Sequence, residues 1–288
     1  MATNAKLGII GVGSMGSAIA QRYLSAGWKP SAYDSNAGRM RAMETAGAQP
    51  QTSVASLIEV SDFVLLCLPT SDAAVRVLEQ EILPLDLARK TIIDLGATDV
   101  QATRRIAAQI EGPGKHFLDA PVSGSVHRAQ KGQLSIFVGG QQRIATRCEP
   151  IFKPLATKIA YCGPAGNGQI LKAVEQIAVG LSQAAFLEAL SYGASFGLEA
   201  GALWEALDQS SAARSTLEHL TADVVRQGGE QISVNFGELK YLLHSAQQNG
   251  QTLPLCQALQ VFLKDSPPSV IERGQYVPSY WNAIKKKQ

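Results

Sequence analysis

A glycine-rich motif lies between an apolar strand pattern and a helical pattern near the start of the chain. Residues 11–16 read Gly-Val-Gly-Ser-Met-Gly, follow a short apolar run, and open a stretch, 14–25, with helical periodicity. The string alone is weak evidence, but the preceding strand and the following helix are the context that a dinucleotide-binding turn requires. We expect Gly11 to make the tight turn, Gly13 to let the backbone approach a pyrophosphate, and Gly16 to let helix and strand pack closely. The sequence therefore predicts a diphosphate at the start of this helix.

An acidic residue follows the motif at the spacing that supports this interpretation. Asp34 ends the second strand pattern, close to the roughly 20 residues expected for the acid that binds the adenosine ribose. A carboxylate there favours NAD, because it repels a 2′-phosphate. Arg39 is near enough in the sequence to keep NADP open as the cofactor.

Strand and helix patterns alternate through the first half of the chain, which predicts an α/β fold with a doubly wound parallel sheet. The strand patterns are at 7–10, 31–34, 63–68, 91–95, 116–118 and 134–138, and the helical ones at 14–25, 39–46 and 101–110. The character changes at the loop 163–168. Helical patterns follow at 169–194, 199–209, 216–227, 236–249 and 255–264, and no strand pattern recurs. We therefore predict a dinucleotide-binding domain at 1–164 and an all-helical domain at 165–288, joined by one long helix.

Composition excludes several classes of partner. The 288 residues carry a net charge of +2, which gives no case for nucleic acid or an anionic membrane as the main partner. The longest apolar stretch, 170–190, is interrupted by charged residues and reads as a core helix, not a membrane span. The four cysteines include no C-x-x-C pair, so we expect free thiols in the cytoplasm and no metal site.

Four blocks of the chain resemble the β-hydroxyacid dehydrogenase family, which includes 3-hydroxyisobutyrate dehydrogenase and tartronate semialdehyde reductase. The first block is 8–16, with the methionine typical of the family's cofactor loop. The second, 117–124, reads Phe-Leu-Asp-Ala-Pro-Val-Ser-Gly, close to the family's substrate motif. The third is 163–168 followed by Lys172, and the fourth is Phe-Gly-Glu-Leu-Lys at 236–240. The second and third blocks are specific, and the resemblance covers nearly the whole chain.

The resemblance implies a Rossmann-type domain, a helical second domain that commonly dimerises, and hydride transfer between a nicotinamide cofactor and a small β-hydroxy acid or its semialdehyde or keto partner. It implies that Lys172 is the catalytic acid/base and that Ser123 and Gly124 hold the substrate carboxylate. It also implies that Lys240 closes over the nicotinamide end and that the residues after the third long strand, Leu68 and Pro69, line the adenosine side.

Elementary chemistry is consistent with the role that the resemblance gives to Lys172. Hydride transfer to a carbonyl leaves negative charge on its oxygen, which a positioned proton donor must meet. Near a helix start, the dipole and burial both favour the neutral amine. The alternative is a lysine with no catalytic role, whose stem is buried and whose ammonium reaches solvent. The turn at Ser123 offers a hydroxyl and backbone N–H groups to an anion. The alternative is an ordinary serine turn that binds no ligand.

Several positions depart from the family's pattern. Glu175 and Gln176 stand where an asparagine is usual, and Tyr241 follows Lys240 in place of aspartate. Gly96-Ala97 replaces a Ser-Thr pair, with Thr98 one residue later. His127 and Arg128 replace small residues after the substrate motif. The altered groups near Lys172 leave an imine reductase-like enzyme open as an alternative, and a third possibility is a silent cofactor-binding scaffold.

The predicted site divides into three sets. The catalytic residues are Lys172 and Glu175. The substrate-binding residues are Ser123, Gly124, His127, Arg128 and Lys240, and the cofactor-binding residues are Gly11, Gly13, Ser14, Met15, Gly16, Asp34, Leu68, Pro69, Thr98 and Lys240. The cofactor is NAD or NADP, with NAD favoured, the substrate is a small carboxylate, and the assembly is a homodimer or a higher even oligomer.

Overall fold

Two compact units make up the chain, Met1–Ala173 and Val174–Gln288. The structure, a computed structural model, describes residues 5–195, 198–199, 201–202, 234–235, 237–248, 253–263 and 275–276. The boundary predicted at 164/165 stays a prediction.

Nine strands of the first unit form one sheet. They are β1 Leu7–Ile10, β2 Ser31–Tyr33, β3 Gln49–Pro50, β4 Phe63–Leu66, β5 Thr91–Asp94, β6 His116–Asp119, β7 Val122–Ser123, β8 Leu134–Gly140 and β9 Ala156–Gly163. Six of them are parallel in the order β3-β2-β1-β4-β5-β6, which is the strand order of the Rossmann fold. β8 runs antiparallel to β6, and β9 extends the sheet parallel to β8. The predicted Rossmann-type sheet is confirmed.

Helices cover both faces of the sheet. In the first unit they are α1 Ser14–Ser25, α2 Ala37–Thr45, α3 Val54–Val60, α4 Ser71–Arg76, α5 Val100–Ile110, α6 Val126–Gln130 and α7 Gln142–Phe152, with a π-helical segment Val77–Ile82 after α4. The long helix α8, Asn167–Ser195, begins in this unit. We predicted it at 169–194, so its pattern located both ends within two residues.

Alternation along each central strand divides the apolar residues between two cores. Ile9 and Leu65 point to one face with Ile19 and Tyr23 of α1. Their neighbours in the strands point to the other face, where they meet Leu57 of α3 and residues of α5. A strand buried on both faces needs apolar residues at every position, which is why these strands read as continuous apolar runs.

The described part of the second unit is mainly helical. It contains the rest of α8, α9 Leu239–Gln248 and α10 Pro254–Leu263. It also contains a two-residue antiparallel pairing that the sequence did not predict, β10 Val234–Asn235 with β11 Gln275–Tyr276. The helix predicted at 216–227 and most of the one at 199–209 lie outside the described residues.

Candidate active site

The predicted residues of the first unit gather at one edge of the sheet. The glycine-rich loop follows β1, Leu68 follows β4, Thr98 follows β5, and the Ser123 turn follows β6. These are the carboxyl ends of parallel strands. The strand order reverses direction between β1 and β4, and ligands of open α/β sheets bind at such a switch point.

The glycine loop has no room for side chains at two of its three positions. Gly11 has a φ of 88°, and a Cβ there would lie 2.5 Å from the carbonyl oxygen of Cys67. A Cβ on Gly16 would collide with the carbonyl oxygen of Gly11. At Gly13 the nearest atom to a Cβ would be Nη1 of Arg39 at 3.9 Å. The loop therefore packs tightly on β4 but leaves open space at the start of α1.

Helix α1 starts without a side-chain cap. Gly13 is its N-cap residue, and no side chain accepts a hydrogen bond from its first turn. The next five helices are each capped, by Asn36, Ser53, Thr70, Asp99 and Ser125. The first N–H groups of a helix have no partner within it, so this start retains donors for an anion. Ser14 is exposed there, and Met15 packs against the core.

Asp34 and Arg39 lie together beside the glycine loop. Asp34 accepts the amide of Val12 at 2.9 Å through Oδ2 and the amide of Asn36 at 2.8 Å through Oδ1. Nη1 of Arg39 is 3.5 Å from Oδ2 of Asp34. The carboxylate is almost fully buried, whereas the arginine side chain is half exposed. An acid and a base therefore stand at the position that contacts the adenosine ribose in this fold.

Leu68 packs against the glycine loop, whereas Thr98 belongs to a buried hydrogen-bond network. Cδ2 of Leu68 would lie 2.9 Å from a Cβ on Gly11, which places Leu68 against the glycine loop, and Pro69 next to it is exposed. The Thr98 hydroxyl donates to Oδ2 of Asp94 at 2.6 Å, and its amide donates to Oε1 of Gln169 at 3.0 Å. Thr98 thus belongs to a buried network that the sequence did not reveal.

The Ser123 turn is held between two strands. β7 pairs with β8, and the amide of Val122 donates to the carbonyl of Leu95 at 3.2 Å. Gly124 has a φ of 139°, after which Ser125 caps α6. Ser123 is half-buried at the end of this short strand.

His127 and Arg128 are both exposed on α6. A Cβ on Gly124 would lie 3.5 Å from Cβ of Arg128, so the stem of Arg128 adjoins the turn. The structure brings Arg128 to the predicted carboxylate turn and leaves His127 in solvent contact one residue away.

Lys172 is buried near the start of α8, with 8% of its surface exposed. Its helix begins beside β6, because Asp119 of that strand accepts amides of Gly166 and Gln169. Glu175 follows three positions later and is partly buried. Residues at i and i+3 share a helix face, so the two side chains are on one side of α8.

Lys240 belongs to the second unit, on α9. Its ammonium nitrogen is 5.6 Å from the centroid of the Tyr241 ring. It lines a cavity of about 460 Å³ between α9 and α10 together with His244 and Gln257. In the same unit, Nε2 of Gln176 donates to Oε2 of Glu238 at 3.1 Å.

Thiolate and metal chemistry find no support among the described residues. Burial raises the pKa of Cys67 to about 12, and also that of Cys148 to about 12, so both thiols are protonated at neutral pH. Within the described ranges, no group of three His, Cys, Asp or Glu side chains is arranged to hold a metal ion. None of the described helices has the length and apolarity to cross a membrane.

Two family matches together cover most of the sequence. Residues 6–163 match the family described as the NAD binding domain of 6-phosphogluconate dehydrogenase. Residues 166–266 match the family described as NAD-binding of NADP-dependent 3-hydroxyisobutyrate dehydrogenase.

Individual relatives agree with these matches. The chain is 31% identical over 263 residues to 2-hydroxy-3-oxopropionate reductase of Escherichia coli (strain K12), covering 88% of this chain and 89% of that protein. It is 30% identical over 213 residues to mitochondrial 3-hydroxyisobutyrate dehydrogenase of Bos taurus; this covers 73% of the chain, which spans 63% of that relative's length. In structure it resembles Mycobacterium tuberculosis 3-hydroxyisobutyrate dehydrogenase, solved with L-serine, at a TM-score of 0.83 and 23% identity, covering 99% of both chains.

The structural likeness shows the fold, and the sequence matches show more than the fold. The match over residues 6–163 spans more than half of the 288 residues. The resemblance drawn from the four motif blocks is therefore confirmed: the chain belongs to the β-hydroxyacid dehydrogenase family.

Proposed function

We propose that the chain is an oxidoreductase that moves a hydride between a nicotinamide cofactor and a small β-hydroxy acid or its semialdehyde or keto partner. The observation that carries this proposal is the joint placement of two helix starts at one sheet edge. One is the uncapped start of α1 behind a glycine loop, and the other belongs to α8, which bears the buried Lys172.

The residues around the glycine loop fit a dinucleotide. The space beside Gly13 admits a diphosphate, and the amides at positions 14–16 supply its hydrogen bonds. Leu68 and Pro69 line the adenosine side. A nicotinamide cofactor, when bound, supplies or accepts the hydride.

Asp34 makes NAD the preferred cofactor. Its buried carboxylate accepts hydrogen bonds from the hydroxyls of the adenosine ribose and repels a 2′-phosphate. Arg39 moderates this preference, because its exposed guanidinium, 3.5 Å from Asp34, is able to turn toward a phosphate. NADP is therefore a weaker alternative cofactor.

Lys172 carries the acid/base step. Its ammonium donates a proton to the substrate oxygen while negative charge develops there, and its neutral amine accepts that proton in the reverse direction. Ser123 and the backbone of Gly124 hold the substrate carboxylate. Arg128, whose stem adjoins Gly124, adds positive charge that favours a larger or dianionic acid.

Exposed apolar residues on α8 support a homodimer or a higher even oligomer. Ile170 and Leu171 are 41% and 37% exposed, and Val174 and Val179 are 54% and 42% exposed. A second copy covering them removes this surface from water. The four free cysteines are consistent with the cytoplasm. Light scattering at micromolar concentration tests the assembly, and a monomer contradicts it.

The activity is tested with a panel of short β-hydroxy acids and their semialdehydes, each with NAD and with NADP. We expect turnover of at least one carboxylate substrate, and faster turnover with NAD. A double alanine variant at His127 and Arg128 should shift preference away from dianionic acids. Turnover of cyclic imines alone would replace the proposal with an imine reductase, and cofactor binding without any turnover would replace it with a scaffold.

A further inference from the structure

The carboxylate of Asp119 fills the start of helix α8. Its Oδ1 accepts the amide of Gly166 at 2.8 Å, and its Oδ2 accepts the amide of Gln169 at 3.0 Å. Asp119 is fully buried at the end of β6. A Cβ on Gly168 would lie 2.8 Å from the same Oδ2, so the helix turn is packed directly on the carboxylate.

The side chain of Gln169 ties this turn to a second part of the sheet edge. Its Oε1 accepts the amide of Thr98 at 3.0 Å, and its Nε2 donates to the carbonyl of Gly96 at 2.9 Å. Gln169 is 3% exposed, so water does not compete for these bonds. Both partners belong to the loop after β5, where the sequence departs from the family's Ser-Thr pair.

A second buried carboxylate holds that loop in place. Asp94 accepts the amide of Gly96 at 2.9 Å through Oδ1 and the hydroxyl of Thr98 at 2.6 Å through Oδ2. Asp94 and Asp119 are register partners on β5 and β6. Burial raises the pKa of Asp94 to about 6, and that of Asp119 is also raised by burial. Retaining two adjacent buried acids is costly unless they are hydrogen-bonded, and each oxygen of both carboxylates accepts a hydrogen bond.

We infer that Asp119 and Gln169 are positioning residues that set the location of Lys172, by fixing the first turn of its helix to β6 and to the loop after β5. This inference rests on the proposed catalytic role of Lys172. Neither residue is required to touch substrate or cofactor. Lys172 is one turn beyond Gln169, so any tilt of this first turn moves its amine.

The two residues act differently on the lysine. Asp119 adds negative charge at the positive end of the helix dipole and holds the turn through two backbone amides. Gln169 is neutral and sets geometry alone. Loss of either displaces the amine, but only the loss of Asp119 also removes a charge from the start of the helix.

The test uses Gln169→Leu and Asp119→Asn in the full chain, with Asp62→Asn as the matched control. Asp62 also accepts a backbone amide, that of Lys6 at 3.0 Å, but at the opposite edge of the sheet. Each variant is assayed with the fastest substrate of the panel above and by fluorescence titration with NADH. We expect kcat to fall about 10- to 100-fold in both variants, as for a displaced catalytic group, with KM and the NADH dissociation constant within about threefold of wild type.

Local hydrogen exchange, together with the split between kcat and binding, separates positioning from general loss of structure. Hydrogen exchange of the peptide at 166–172 should accelerate in both variants and not in Asp62→Asn.

Gln169→Leu keeps the inference falsifiable if Asp119→Asn does not fold, because it removes no charge and replaces a buried glutamine with a leucine of similar size. A wild-type kcat in Gln169→Leu overturns the inference. So does an equal loss of NADH binding and kcat in either folded variant. If instead Lys172→Met retains full turnover, the proposed role of Lys172 has failed and not merely its positioning.

Discussion

Helices α1 and α8 both begin at the same edge of the sheet after glycine-containing loops. They differ in whether a side chain accepts hydrogen bonds from the backbone N–H groups at the helix start. The start of α1 has no side-chain cap and open space beside Gly13. The start of α8 is filled by Asp119, which accepts the amide of Gly166, just before the helix, and that of Gln169 in its first turn. Both helices offer N–H donors and a positive dipole end. One start is left for an external anion, and the other is neutralised from within the fold.

The difference separates two tasks that one active site must perform. A helix start that binds a diphosphate must keep its donors available to the ligand. A helix that holds a proton donor at a fixed point is better anchored to the sheet, because small displacements of a catalytic group are costly. The contrast supports the proposal that α1 binds the cofactor and α8 carries the acid/base chemistry.

Lys172→Met gives the largest expected effect and tests the α8 side of the contrast. Removing a general acid lowers kcat by roughly 10²–10⁴-fold. The NADH dissociation constant should change less than about twofold, because the proposed role of Lys172 is proton transfer to the substrate and not cofactor binding. Steady-state kinetics and NADH fluorescence measure the two quantities. The control is Lys153→Met, which removes an exposed lysine of the same unit. Loss of NADH binding in Lys172→Met would contradict the proposal that cofactor binding and acid/base chemistry belong to different helices.

Gly13→Asp tests the α1 side by giving that helix the internal anion that α8 already has. Gly13 is the N-cap residue and has room for a side chain, so the aspartate should stabilise the fold by a few tenths to about 1 kcal/mol. The same carboxylate occupies the diphosphate site, and we expect NADH affinity to fall at least about 100-fold, or roughly 3 kcal/mol. Gly13→Asn has the same shape without the charge and should lose less. Unchanged NADH binding in Gly13→Asp would contradict the placement of the diphosphate.

Removing the acid or the base beside α1 should change how strongly one cofactor is preferred over the other. Asp34→Ser removes the repulsion of a 2′-phosphate, so the preference for NAD over NADP should narrow about tenfold, or 1.4 kcal/mol. Arg39→Ala should weaken NADP and leave NAD nearly unchanged. Arg41→Ala on the same helix is the control, since Arg41 is also exposed. Ratios of kcat/KM for the two cofactors decide the matter, and a strong NADP preference of the wild type would refute the assignment of Asp34.

Glu175→Asn is expected to give the smallest effect and sharpens the account of α8. The carboxylate shares a helix face with Lys172, and an anion beside a proton-transferring amine suits proton donation better than proton acceptance. Wild type should therefore reduce carbonyls well near neutral pH and oxidise alcohols well only at alkaline pH. In the variant, the midpoint of the oxidation profile should move to lower pH. Glu149→Asn, which removes an exposed glutamate near Lys153, should leave the midpoint in place.

The sequence predicted the parts of this architecture that repeat a strong pattern. The continuous apolar runs at β1, β4 and β5 located three central strands, and helical periodicity located α1 at Ser14–Ser25. Short helices escaped prediction, because five to seven residues hold too few turns to show periodicity. Helix α7 escaped as well, although it has 11 residues, because it contains Pro150, a residue that normally ends a helix pattern.

The anchoring of α8 was the main feature that the sequence did not reveal. Asp119 stands in the substrate motif, but its partners are 47 and 50 residues away in the sequence. Gln169 likewise reaches back to Thr98 across 71 residues. Contacts of this kind depend on the sheet order, which alternation alone does not specify. An aspartate at the end of an apolar strand pattern is the local signal that could have pointed to them.

A crystal structure of the full chain with NAD bound tests the division of tasks most directly. We predict that the diphosphate oxygens accept hydrogen bonds, at about 3 Å, from the first-turn amides of α1. Asp119 should still fill the start of α8, with the amine of Lys172 facing the nicotinamide. A diphosphate seated elsewhere, or an Asp119 displaced from the amides of Gly166 and Gln169, would contradict the account.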